Sequence, residues 1–218
     1  PPTRIDDGNG PTTDEPTQST YEAILNDDVC LAKQSRKILI LFSGDKNRPD
    51  GLAAHLVLKG FEAVLIDSAP DKGGGPWDNI LNDDTYDSLL LRIKQGEFYC
   101  IFAAPPCSTF SVARCFDAPN TKDGGPMPVR DRQHLDGIPG LTARRQSEVK
   151  KANNIVNRTV ALLLAGYRVG TEFVLENPAD HGDPERHWLF LSEQHAPVWL
   201  LQSVVSLEKI TDAKKATF

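Results

Sequence analysis

A chain of 218 residues, 39% hydrophobic and 25% charged, can bury one full core and is too short for two comfortable domains. A net charge of −6 argues against indiscriminate nucleic-acid binding by the whole surface, and no run of about 18 apolar residues exists to span a membrane. The four cysteines, Cys30, Cys100, Cys107 and Cys115, form no CxxC pair. This speaks against a zinc ribbon or thioredoxin motif, and their low density fits a reducing intracellular compartment better than a disulfide framework.

Residues 1–19, rich in Pro, Thr and Asp, have almost nothing to bury and read as a disordered acidic leader. They are not a signal peptide, and without an initiator Met the chain reads as a piece of a longer polypeptide. The remainder, 20–218, reads as one domain. "KILILF" (37–42) is a short, continuous apolar run and predicts a buried strand. "DGLAAHLVLKG" predicts a helix with Asp50 as N-cap, Leu52 and Leu56 on one face and Gly60 as its stop. "FEAVLIDS" (61–68) is a second buried strand, followed by a Gly-rich loop, "DKGGGPWDN". A helix over 83–96, stopped by Gly96, leads to a third strand over 98–104 that runs into "PPCSTFS".

Residues 112–141 are rich in Gly and Pro and predict a long loop, a feature that is usually functional or mobile. Residues 112–158 carry nine Lys/Arg against five Asp/Glu, whereas 1–36 carry three against seven. The middle of the chain therefore prefers anions and the leader opposes it. Val149, Ala152, Val156, Val160 and Leu163 recur at spacings of three and four within a helix predicted over 142–166. "EFVLENP" (172–178) is a fourth strand. "PVWLLQSVVSLEK" is a helix with Pro197 in its first turn, and "KKATF" opens another strand. Buried strands alternating with helices predict an α/β fold, a mostly parallel sheet with helices on both faces. Ligands of such sheets sit at the carboxyl ends of the strands.

Four exits therefore matter: "FSGD", "IDSA", "APPC" and "LENP". Gly44 lets a ligand approach the backbone, although a glycine after a strand is more often only a turn. Asp67 stands where an acid can accept both ribose hydroxyls of a nucleotide, or simply cap a loop. Pro105 and Pro106 stiffen the mount of Cys107, and a thiol nucleophile needs such a mount. Cys30 and Cys100 read instead as small core residues. Glu176, at the end of an apolar strand, is costly to bury as an anion; desolvation there would favour the protonated, hydrogen-bond-donating form. It could also simply turn to solvent.

The ordered set "LFSG…LIDS…APPCSTFS…LENP" resembles the cytosine-C5 DNA methyltransferase family, most closely its short, divergent phage and mobile-element members, over residues 37–218. The resemblance implies a Rossmann-like fold that binds S-adenosylmethionine. Phe42, Ser43 and Gly44 would lie against the cofactor, Asp67 would hold its ribose, and Asp78 or Asn79 would approach the adenine. Pro105 belongs to the same cofactor-side set. Cys107 would attack the six-position carbon of cytosine, and Glu176 would hydrogen-bond the ring. Pro106, Ser108, Ser111, Arg114, Asn177 and Pro178 would line the base. Residues 112–141 would close over DNA, with Arg114, Arg130 and Arg132 on phosphates.

The family's first motif usually has two glycines separated by one residue; here Lys46 stands at the second. The later two-arginine motif, a target-recognition domain and the C-terminal cofactor motif are not visible, so the resemblance also implies a catalytic core with low activity on its own. The partner is DNA. RNA is the alternative, as is a weak or inactive methyltransferase-like module inside a larger polypeptide. The compartment would be nuclear in a eukaryote and cytoplasmic otherwise. Asp180, His181, Asp183 and His187 lack the helical spacing of a metal site and read as loop residues at the rim.

Overall fold

Apolar runs too short for helices become four parallel strands. The computed structural model of the protein describes residues 35–115, 127–185 and 192–216, so the leader at 1–19, Cys30 and His187 lie outside the described residues. β1 (Lys37–Leu41), β2 (Glu62–Ile66), β3 (Cys100–Ala103) and β4 (Glu172–Leu175) form one sheet in the order β2-β1-β3-β4. Every neighbouring pair is parallel. Each connection must therefore cross over, and α1 (Leu52–Leu58), α2 (Asp83–Lys94) and α3 (Ala143–Arg168) make the three crossings. α4 (Gln202–Thr211) follows β4. The chain is an α/β protein with an all-parallel sheet.

Local chemistry accounts for the best-formed helices. Asn82 caps α2 by accepting from the Thr85 amide at 3.3 Å, and Asp83 and Asp84 sit at its positive end, Arg92 and Lys94 at its negative end. Gly96, at φ 70°, takes the left-handed turn that ends it. The predicted stripe of α3 is buried, and Leu162, Leu163, Leu164, Ala165 and Gly166 are buried all round. α3 packs on β3, β4, α2 and α4. A Cβ on Gly166 would meet Ile101 at 2.9 Å, so the glycine sets how closely the helix approaches the sheet. Each fully buried Leu, Ile or Phe of this core contributes about 1.5–3 kcal/mol.

The two faces of the sheet are covered unequally. Leu39, Ile101 and Phe173 share a row and face α3; Ile40, Phe102 and Val174 share the next row on the opposite face. Along that second row Ile40 is buried, Phe102 is half-buried and Val174 is 46% exposed. β4 is thus not the buried strand expected, because among the described residues it is an edge of the sheet; β2, the other edge, was also expected to be buried and buries only Ile66. α1 is short, packs on β2 and buries none of its residues; Leu58 is 81% exposed. Its N-cap is Gly51 rather than Asp50, whose carboxylate pairs with Arg48. Pro197 starts a single 3-10 turn (Val198–Leu200), and extended backbone at Leu201 separates it from α4, so the predicted continuous helix is two elements. Residues 212–216 form no strand.

Candidate active site

The register brings the four predicted exits to one level. Leu41 is opposite both Ile66 and Ala103, and Ala103 is opposite Leu175. The next residue on each strand, Phe42, Asp67, Ala104 and Glu176, therefore forms a single row across the carboxyl edge. The sheet changes direction at β1: β2 lies on one side and β3 on the other, which places the crevice of a parallel sheet at this edge.

On the β1–β2 side, Phe42 has φ 62°, costly for an aromatic residue, and its amide and that of Ser43 both donate to the Ile66 carbonyl (2.7 and 3.2 Å). Gly44 follows at φ 69°, with open space where a Cβ would be. Asp67 spends one acceptor site of each oxygen on the amides of Gly44 (2.8 Å) and Ala69 (2.9 Å). A carboxylate has about four such sites, so capacity remains for further donors. A Cβ on Gly74 would lie 1.5 Å from the Asp67 carbonyl oxygen; the glycine loop lies hard against the β2 exit. Asp78 pairs with Lys46 at 2.8 Å, and Asn79 accepts from the Leu81 amide at 3.0 Å.

On the β3–β4 side, Pro105 is buried, Pro106 is exposed and Cys107 is half-buried. The Cys107 carbonyl accepts from Phe110 (2.8 Å), which folds Cys107–Phe110 into a tight turn. Glu176 extends the ladder through its amide to Ala103 (2.8 Å), and the Asn177 side-chain amide donates to the Pro105 carbonyl (2.9 Å). Asn177 thereby staples the proline loop to the glutamate loop. Its Oδ1 is buried with no partner among the described residues. Pro178 accepts from the Trp199 indole at 2.7 Å, anchoring the second loop to the core. Glu176 itself is exposed, so the desolvation expected at the strand exit is absent. Ser108 is exposed and Ser111 half-buried.

The arginines expected on phosphates are committed elsewhere. Arg114 donates to the carbonyls of Ser108 and Met127 and pairs with Glu148. Arg132 forks onto Asp180 (2.9–3.2 Å) and also reaches the His195 carbonyl. Arg130 is 4% exposed, which removes it from any nucleic-acid surface. It binds the carbonyl (3.1 Å) and hydroxyl (2.9 Å) of Thr109, the Leu135 carbonyl (2.6 Å) and Asn153 (3.1 Å), with its guanidinium 3.9 Å from the centre of the Phe110 ring. Burial pushes its pKa down to about 10.

His195, 1% exposed, was not singled out from sequence; a histidine opening the apolar run "HAPVWL" was the available signal. Its Nε2 lies 2.8 Å from the Phe110 carbonyl and so carries the proton, while Nδ1 accepts from the His181 amide at 3.0 Å. Burial holds its pKa below the usual 6.5. The unfolded chain then binds more protons than the folded one below that value. Stability should be complete above pH 6.5 and fall as the pH drops through the window beneath it, by at most about 1.4 kcal/mol per unit. Urea midpoints at pH 7.5 and 5.5 check this; His195→Gln, which keeps a donor and cannot titrate, should shrink the difference.

Burial raises the Cys100 thiol to about 11, although the residue is half-buried on β3 and stands outside the core cluster where it was expected. Asp180 is engaged by Arg132 and the Gly182 amide, and Asp183 accepts from the Glu185 amide. Comparisons with protein-family models, with curated proteins and with solved structures gave no match.

Proposed function

We propose that the protein is a DNA cytosine-C5 methyltransferase with a Rossmann-like catalytic domain. The observation that carries this reading is the common row of four strand exits, with a stiffly mounted thiol and a carboxylate on adjacent strands, stapled by Asn177. S-adenosylmethionine, when bound, supplies the methyl group. Phe42, Ser43, Gly44 and the spare acceptor sites of Asp67 suit its methionine and ribose portions, with Asn79 and Pro105 beside them. Cys107 adds as thiolate to the six-position carbon of cytosine, and the displaced electron pair makes the five-position nucleophilic. Glu176 hydrogen-bonds the ring nitrogen and exocyclic amine. The five-position proton leaves after methylation, and its electron pair expels Cys107. The base leaves its stack to reach the thiol, and Pro106, Ser108, Ser111, Asn177 and Pro178 line its approach. Arg114 supports the Ser108 backbone in this arrangement rather than the phosphates.

The Lys46–Asp78 ion pair favours a second reading, a methyltransferase-like module with weak cofactor binding inside a larger polypeptide. It takes the Asp78 carboxylate proposed for the adenine. Duplex DNA containing 5-fluorocytosine, incubated with S-adenosylmethionine, should form a covalent adduct that peptide mapping locates at Cys107. No adduct with either DNA or RNA overturns the enzyme reading. Calorimetry with S-adenosylhomocysteine then separates a cofactor-binding module from a fold that binds none.

A further inference from the structure

The sequence puts a full charge at position 130, yet Arg130 is buried among neutral partners. Its hydrogen-bond partners are the Thr109 carbonyl and hydroxyl, the Leu135 carbonyl and the Asn153 side-chain oxygen, with no carboxylate among them. A buried cation with no carboxylate among its hydrogen-bond partners is expensive, with Asp136 and Glu148 offsetting its charge only from a distance, and packing alone would be served as well by an apolar side chain. What the guanidinium provides is geometry. One planar fork fixes Thr109 through both its polar groups and lies over the ring of Phe110, the two residues that close the turn begun by Cys107. His195 holds the same turn through the Phe110 carbonyl. The space left among Phe110, Ser111, Arg114, Pro128, Arg130 and His195 is about 10 Å³, roughly one water.

We propose that Arg130 is a positioning residue for Cys107, holding the Cys107–Phe110 turn through Thr109 while also bonded to Asn153 of α3, with His195 holding the same turn through the Phe110 carbonyl. The proposal rests on the methyltransferase reading for its chemistry, but the clamp itself is independent of it. Arg130→Gln should lower the rate of adduct formation on 5-fluorocytosine DNA about 100-fold, the loss expected for a nucleophile displaced by about 1 Å. Half-saturation by DNA and S-adenosylhomocysteine affinity should stay near wild type. Arg130→Lys, which keeps the charge without the fork, should recover only part of the rate. Thr109→Val, a milder change that removes one acceptor, should lose rate in the same direction and serves if Arg130→Gln does not fold.

Hydrogen exchange at the Thr109 and Phe110 amides should quicken in each variant. Folded variants with wild-type adduct rate overturn the proposal. If the wild-type protein forms no adduct at all, the methyltransferase reading fails, and exchange decides the clamp: faster exchange in the variants supports it, and unchanged exchange overturns it.

Discussion

Cys107→Ser should abolish covalent capture of 5-fluorocytosine DNA and lower methyl transfer by about 10⁴–10⁶-fold, the scale on which losing an enzyme's nucleophile is felt. Serine is nearly isosteric, so folding should persist and the loss should be chemical. Cys107 is half-buried at the end of a proline-stiffened loop, and the turn it opens is held by main-chain and arginine contacts that the substitution leaves alone. The contrast is Cys100, on β3, whose thiol is raised to about 11 by burial. Cys100→Ser should leave capture intact. Equal loss in both variants would show that the effect lies in stability and not in nucleophilic attack. The measurement is adduct yield on denaturing gels, with unfolding midpoints of both variants recorded beside it.

Gly74→Ala should cost about 3 kcal/mol, at the upper end for overpacking, because the added carbon would lie 1.5 Å from the Asp67 carbonyl oxygen and 2.6 Å from its carbon. Both obstacles are backbone, so no side-chain rotation relieves the clash. Either the turn over Pro70–Lys72 moves or the β2 exit does, and both carry the Asp67 carboxylate away from the Gly44 amide. For a chain of this size the melting temperature should fall by about 6–12 °C. Gly75→Ala is the control: nothing lies within 4 Å of its added carbon and its φ of −173° is extended backbone open to any residue. A Gly74→Ala variant as stable as Gly75→Ala would refute the close packing of this loop.

The parts legible in the sequence were those written in apolar runs and breaker residues. "KILILF", "FEAVLIDS" and "FYCIFAA" read as strands from their length and apolar content, their alternation with helices predicted a parallel sheet, and the Gly, Asp and Pro at their ends marked the edge where side chains gather. Less legible was everything set by neighbours. Hydropathy told that "EFVL" is a strand, but not that it would be an edge with Val174 open to solvent. The same ignorance of neighbours left the exposure of Glu176 open, since a carboxylate one residue past a strand can turn either way. Arg130 was misjudged for a sharper reason. Charged residues are almost never fully buried, so an arginine in a basic loop reads as a surface cation until its partners are seen. The break at Leu201 was hidden because "PVWLLQSVVSLEK" has helical spacing throughout, and only the extended backbone of Leu201 interrupts it.

β4 has a consequence for how the protein behaves in concentrated solution. Among the described residues it pairs only with β3, so the amides and carbonyls of its outer side form a short unpaired ladder beside Val174. Such a ladder is a template for another strand, from whatever chain supplies one. Two features blunt it: the strand is only four residues long, and it opens with the exposed charge of Glu172. Neutralising that charge by substitution removes a barrier to edge-to-edge assembly. Among the described residues, one of the two strand edges open to such assembly is therefore the strand that delivers the carboxylate of the candidate active site.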